Sequence, residues 1–266
     1  MSLLRLPSPA LRPFVAQVWA SDDSVIGEGT TSPWREHALP SGAMHLVLRL
    51  TDSPLHINAQ RVAPSLVGGM RSRFYVRESR EPSCSVGAVL RPGAAACLFG
   101  VNAGELAERH TSLEDLWGLA ACHLRDRLLA LHRPEDRLAL LEAELAARLP
   151  RVHGLHPAVA NALAQFQAGA SVAAAVRHGG VSHRRFIELF RQSVGLAPKT
   201  FLRVQRFQRA LPALRAGPSL AAVAVDLGYS DQSHFNREFL AFSGVTPLAY
   251  RESSGAEMNH LPVKGG

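Results

Sequence analysis

The 266-residue sequence predicts an α+β chain, with a small β-sandwich or barrel carrying some helices in its first half and an all-α second half. Three observations predict this. Up to about residue 93, short apolar runs alternate with Gly- and Pro-rich turns; beyond it the apolar spacing shifts to steps of three and four; and the last ninety or so residues contain one module twice.

In the first half, candidate strands fall at 14–19, 36–39, 44–50, 55–57, 65–67, 74–76 and 85–90. Pro40-Ser-Gly42, Asp52-Ser-Pro54, Gly68-Gly69 and Arg91-Pro-Gly93 separate them with turn chemistry. The spacing then predicts a small-residue helix at 94–99 and a short helix capped by Asn102 with Glu105 three residues on. Longer helices are predicted at 113–132, capped through Thr111 or Ser112, and at 134–149. In the second of these Leu138, Leu141, Leu145 and Leu149 form one stripe, which suits either a dimer seam or packing onto the chain's own sheet. Pro150-Arg-Val-His-Gly-Leu-His-Pro157 reads as a linker. The expected divisions are 1–112 as a β-rich unit, 113–150 as a helical connector and candidate dimerisation element, 151–255 as the helical unit and 256–266 as a flexible tail.

The repeat dominates the second half. Ser171-Val-Ala-Ala-Ala-Val-Arg-His-Gly-Gly-Val-Ser182 is answered 48 residues later by Ser219-Leu-Ala-Ala-Val-Ala-Val-Asp-Leu-Gly-Tyr-Ser230. Each copy runs on to a matching corner, Gly195-Leu-Ala-Pro198 and Gly244-Val-Thr-Pro247. A serine cap, a short helix, a glycine turn and a second capped helix make a helix-turn-helix twice over. Phe186, Leu189 and Phe190 in the first copy, and Phe235, Phe239 and Phe242 in the second, have core spacing. His183, Arg184, Ile187, Glu188 and Arg191 fall outside that face in the first copy, as do Gln232, Ser233, His234, Asn236 and Arg237 in the second. Gln, Asn, His and Arg near a helix's amino end are the types that pair with base edges in a major groove. A helix from Pro198 to Ala216 joins the copies. On its flank Arg203, Arg206 and Arg209 suit phosphates or plain solvation, and Pro212 should kink it or end it early.

Charge supports a polyanionic partner. Residues 1–150 hold 16 basic and 16 acidic residues, whereas 151–266 hold 13 and 6, the whole excess of +7. Cys84, Cys97 and Cys122 lack the spacing of a disulfide framework or zinc knuckle. The N-terminus lacks an apolar core of signal-peptide length, and no run reaches the ~18 apolar residues of a spanning helix, so a cytoplasmic protein with no membrane role is expected.

The stretch Asp226-Leu-Gly-Tyr-Ser-Asp-Gln-Ser-His-Phe-Asn-Arg-Glu-Phe239, followed by Gly244-Val-Thr-Pro-Leu-Ala-Tyr-Arg251, resembles the C-terminal signature of AraC/XylS-type transcription regulators. With the first copy and Arg206-Phe-Gln-Arg-Ala-Leu211, the resemblance covers residues 156–251. It implies two helix-turn-helix subdomains gripping adjacent major grooves of double-stranded DNA. By position it implies base readers at Arg184, Ile187 and Glu188, and at Gln232, Ser233, His234 and Arg237. Ile187 and Glu188 depart from the polar or basic residues usual there, so copy one is expected to position more than discriminate. His37-Ala-Leu-Pro-Ser-Gly-Ala-Met-His-Leu-Val-Leu48 and Leu90-Arg-Pro-Gly-Ala-Ala-Ala-Cys-Leu-Phe-Gly100 resemble the β-rich, cupin-like sensor domain attached to some members. Such domains bind an effector, dimerise, or both; Trp34, His45, Arg71, Arg73 and Tyr75 are the pocket candidates, with a homodimer and RNA polymerase as further partners.

No catalytic residue, metal or cofactor is expected. The rival readings are a cupin-like metalloenzyme and an effector-independent DNA-binding protein. The first needs clustered ligands, yet His37, His45, His56 and His110 show no paired spacing. A methyl-transferring damage sensor would need a cysteine-rich zinc site, and three dispersed cysteines do not supply one.

Overall fold

The computed structural model describes residues 2–22, 34–79, 83–150, 154–253 and 258–263. The first half contains β1 (Ser2–Arg5), β2 (Val15–Asp22), β3 (Trp34–Ala38), β4 (Met44–Arg49), β5 (Leu55–Ile57) and β6 (Gln60–Arg61). After these come β7 (Ser65–Gly68), β8 (Tyr75–Ser79), β9 (Cys84–Leu90), α1 (Ala94–Phe99), α2 (Ala103–Leu106) and β10 (His110–Ser112). They form two antiparallel sheets, ordered β1-β2-β9-β4-β7-β10 and β3-β8-β5-β6. The sheets meet where Tyr75 of β8 sets its ring edge-on to His110 of β10, 4.6 Å between centroids.

The predicted helix at 113–132 is broken by Gly118 (φ +59°) into α3 (Leu113–Trp117) and α4 (Leu119–Leu129). Next is α5 (Pro134–Ala147), which packs on β2 and β9. Leu138, Leu141 and Leu145 are fully buried there and Leu149 packs at their edge, so the leucine stripe belongs to the chain's own core and cannot serve as a dimer seam.

The second half is helical: α6 (Pro157–Gln167), α7 (Val172–His178), α8 (His183–Val194), α9 (Pro198–Arg215), α10 (Leu220–Asp226), α11 (Gln232–Ser243) and α12 (Pro247–Glu252). Pro212 neither ends nor shortens α9, which continues to Arg215 with the proline exposed while Leu211 and Leu214 beside it stay buried. Packing on both sides outweighs the lost N–H. Buried residues from both halves form one continuous cluster. Backbone bonds from Phe74 to Phe242 O and from Gly93 to Ser193 O, each 2.9 Å, stitch the halves together.

The expected flexible tail departs most from expectation. Residues 260–262 form β11 (His260–Pro262), which pairs antiparallel with β3 and becomes the edge of the smaller sheet. Leu39 N–H donates to Asn259 O and Val263 N–H to Arg35 O, both at 2.8 Å. Leu261 is buried, and His260 Nδ1 lies 2.7 Å from Glu36 Oε1. Among the described residues no helix is long and apolar enough to cross a membrane.

Candidate nucleic-acid interface and sensor cluster

Each copy of the repeat is built as its sequence requires. Ser171 Oγ accepts from Ala174 N and Ser182 Oγ from Arg185 N, at 3.2 and 3.3 Å. In the second copy Ser219 caps α10, and Asp231 rather than Ser230 caps α11, its Oδ1 2.7 Å from His234 N. Gly180 (φ +64°) and Gly228 (φ +72°) take the left-handed turn between the helices. Phe186, Leu189 and Phe190 are buried in one copy, and Tyr229, Phe235, Phe239 and Phe242 in the other.

The polar residues of α11 divide by position. Gln232, Ser233 and Arg237 are exposed at its amino-terminal half. His234 is half-buried, edge-on to Tyr229, with Nδ1 3.1 Å from Ser230 Oγ. Asn236 turns its Oδ1 inward, where that atom is buried without a hydrogen-bond partner among the described residues.

Copy one differs. His183, Arg184, Glu188 and Arg191 are exposed and Ile187 half-buried, but Glu188 pairs with Arg185 at 2.9 Å on the same helix. Arg184, Ile187, Glu188 and Arg191 also form one wall of a depression of about 410 Å³ whose other wall is Asn102, Gly104 and Glu105 of α2. The first half therefore stands against the flank of α8 that carries Arg184, Ile187, Glu188 and Arg191. Gly104 permits the approach: a Cβ there would lie 3.2 Å from Arg191 O.

Arg203 and Arg206, expected on phosphates, have another job. Arg203 Nε and Arg206 Nη2 each donate to a different oxygen of Glu238 at 2.7 Å, and Tyr229 OH donates to Oε1 at 3.0 Å. Arg206 also lies over the Tyr229 ring, 3.9 Å from its centroid. Burial alone would raise the Glu238 carboxyl, yet the hydrogen bonds from Arg203 and Arg206 hold it below the usual range. The pair clamps α9 to α11. Arg203 keeps an exposed edge, Arg206 is half-buried, and Arg209 is left as the fully outward arginine of that flank.

In the first half, three pocket candidates come together with one residue that the sequence reading did not place there. Arg71 Nη2 donates to His110 Nδ1 at 2.8 Å, and its guanidinium lies 4.7 Å from the centroid of the Tyr75 ring. Arg71 Nε is buried without a hydrogen-bond partner among the described residues. His45 of β4 neighbours His110 of β10 across the sheet, since both lie opposite Gly68 of β7, and its Nε2 bonds Ser41 Oγ at 2.6 Å. Because a guanidinium only donates, His110 must accept as a neutral ring. Burial, then the charges of Arg71, Arg77 and His45, push His110 down to about 3. Burial and the charge of His260 push His45 down to about 4. Arg73 is exposed and outside this cluster, and the side chain of Trp34 lies outside the described residues. His37 bonds instead to Ser243 O at 3.0 Å and stacks on Phe74, joining the two halves.

These two histidines give a pH signature. Folded, both stay neutral to well below the ordinary imidazole value of about 6.5, whereas the unfolded chain protonates there. The stability they contribute is complete above about pH 6.5 and is lost as pH falls toward 4, by roughly 1–2 kcal/mol for each between pH 7 and 5. Urea unfolding of wild type and His110→Gln across this range checks it: the variant's slope should be shallower, and equal slopes would rule His110 out.

Residues 175–253 match the family described as a helix-turn-helix domain, and residues 5–112 a domain of unknown function (DUF6597). An uncharacterized HTH-type transcriptional regulator of Haemophilus influenzae is 34% identical over 74 residues, 27% of this chain and 25% of that protein. The arabinose operon regulatory protein of Escherichia coli K12 is 26% identical over 136 residues, 47% of each chain. The chain thus spans half or less of the length of these curated relatives. The solved structure of ToxT from Vibrio cholerae overlaps 94% of this chain and 97% of its own, at 8% identity and a TM-score of 0.45. Residues 175–253 therefore carry a helix-turn-helix domain, and residues 5–112 a domain from a family without an assigned function.

Proposed function

We propose that the chain is a sequence-specific DNA-binding transcription regulator, with α8 and α11 entering adjacent major grooves. The observation that carries this is the exposed set Gln232, Ser233 and Arg237 at the amino-terminal half of α11, on a capped helix whose opposite face is locked in aromatic core. An 18-residue α9 spans ~27 Å, suited to grooves ~34 Å apart. The net charge of +7 confined to residues 151–266 supplies the attraction to phosphate. Copy two does most of the reading; copy one, with Ile187, an ion-paired Glu188 and α2 along its flank, mainly positions.

Control passes through the first half, where a small-molecule effector binds at Arg71, Tyr75, His45 and His110. The support is a guanidinium that has a neutral imidazole and a ring as partners and one donor unused. The reading extends to a cytoplasmic homodimer acting beside RNA polymerase. With the α5 stripe buried, a second copy would have to use other apolar surface, such as the exposed Leu119 and Leu129 of α4.

The test is selection of bound sites from a random DNA pool, followed by titration of Arg237→Ala and Gln232→Ala. Each should lose ~1–3 kcal/mol and relax preference at about one base pair. Unchanged affinity and unchanged preference in Arg237→Ala would remove α11 as the reader.

A further inference from the structure

A second site lies beyond the end of β4. A cavity of about 390 Å³ opens there, lined among others by Arg49, Thr51, Asp52, Ser53, Arg61 and Arg125. Its size is in the range of small-ligand pockets. Three arginines face one carboxylate, a lining charge of 3 − 1 = +2.

The single carboxylate is committed elsewhere. Asp52 pairs with Arg125 at 3.0 Å through a side chain that is 98% exposed, so solvent screens the pair. Arg125 is itself anchored, its Nε donating to Arg49 O at 2.9 Å. Arg49 is buried, 4% exposed, and has no acidic partner among the described residues. Its Nη1 donates to Ser53 O at 2.7 Å, and its Nη2 reaches Thr51 Oγ1 only at 3.5 Å, near the limit of a hydrogen bond. Arg61, exposed on β6, has no ion pair among the described residues. Ser53 Oγ, on the same lining, is buried with no hydrogen-bond partner among the described residues.

A buried guanidinium without a counter-charge is costly, and a buried unbonded hydroxyl adds to the cost. Both costs are offset by one kind of ligand: a compact, doubly charged oxyanion that accepts several N–H and O–H bonds at once. We propose that this cavity binds a phosphoryl group, either as free phosphate or as the end of a small phosphomonoester. Arg49 and Arg61 supply the charge, and the Ser53 hydroxyl a further donor. A bound phosphoryl group would also tighten the hold of α4, through Arg125, on the 51–54 turn. This site is separate from the DNA-reading surface and from Arg71, and it stands whether or not those readings do.

Calorimetric titration of the full chain with inorganic phosphate and with glycerol 3-phosphate, at constant ionic strength in chloride, tests it. Saturable binding is expected, weakened at least about tenfold in Arg61→Ser. Arg61 is exposed and unpaired, so that variant should keep the wild-type Tm without ligand; Arg49→Lys, in the buried position, should weaken binding as well. A monoester that binds as tightly as phosphate identifies a metabolite site, and binding of phosphate alone identifies a free-ion site; either supports the proposal. Absence of saturable binding of both probes overturns it. So does wild-type affinity in Arg61→Ser, or loss of the signal in Arg237→Ala, which would place the anion on the DNA-reading surface.

Discussion

Glu238→Ala is expected to unfold about 3–5 kcal/mol more easily than the wild type. The carboxylate side chain is 4% exposed and takes hydrogen bonds from Arg203, Arg206 and Tyr229. Removing it strands a half-buried guanidinium on Arg206, whose Nε already has no hydrogen-bond partner among the described residues. It also leaves the Tyr229 hydroxyl buried beside the cavity. Arg203, 44% exposed, can turn to water, which keeps the loss toward the lower end. Glu238→Gln retains shape and one acceptor but loses the charge, and should fall between the two. Urea unfolding measures all three. A loss below 1 kcal/mol in Glu238→Ala would mean that aromatic packing between α9 and α11, not this ion pair, holds α11 in place.

Most of the fold was legible because periodicity reports burial. Core positions such as Phe186, Phe190, Phe235 and Phe239 repeat at helical spacing in both copies, and caps and glycine turns bound each helix within a residue or two. Glu238 shows where that logic stopped short. It lies between Phe235, Phe239 and Phe242 on the buried stripe, so spacing alone places an acid inside. A buried acid requires cationic partners, and Arg203 and Arg206 on the linker helix were the available ones. Spacing on α9 alone leaves them suited to phosphate or to plain solvation, because it says nothing of the element packed against that flank.

The tail and the sensor cluster were illegible for a different reason. β11 is three residues long, and β10 likewise. Strands of that length have no measurable alternation and exist because a partner edge offers hydrogen bonds. His110, carried by β10, therefore could not be placed beside Arg71 and Tyr75 from sequence, although those two, close together on one turn and strand, were. The leucine stripe of α5 is a related case: a/d-like spacing states that a face is covered, not by what.

Gly69→Ala is the second change with a large expected effect, and it acts where the two halves meet. A Cβ at Gly69 would lie 1.6 Å from Leu106 O and 2.4 Å from its carbonyl carbon, both backbone atoms that cannot rotate away. The segment it would displace is already constrained. Glu108 holds a left-handed φ of +60°, its N–H donates to Met70 O at 3.1 Å, and its carboxylate accepts from Ser72 N and Oγ. Gly69 N–H itself donates to Arg109 O at 3.0 Å. One methyl group must therefore break this lacing, with a loss of about 3 kcal/mol or more, at the upper end for overpacking. The consequence spreads in two directions. His110, two residues past Glu108, moves relative to Arg71, and α2, just before it, moves relative to α8, against which Gly104 packs. A loss confined to thermal stability, with amide exchange along α8 unchanged, would show that α2 does not brace α8. Faster exchange in α8 together with a lower Tm is the expected result, because the displaced 106–108 backbone leads into α2, which packs on α8, and Met70, next to Gly69, packs at Gly195 just past the end of that helix.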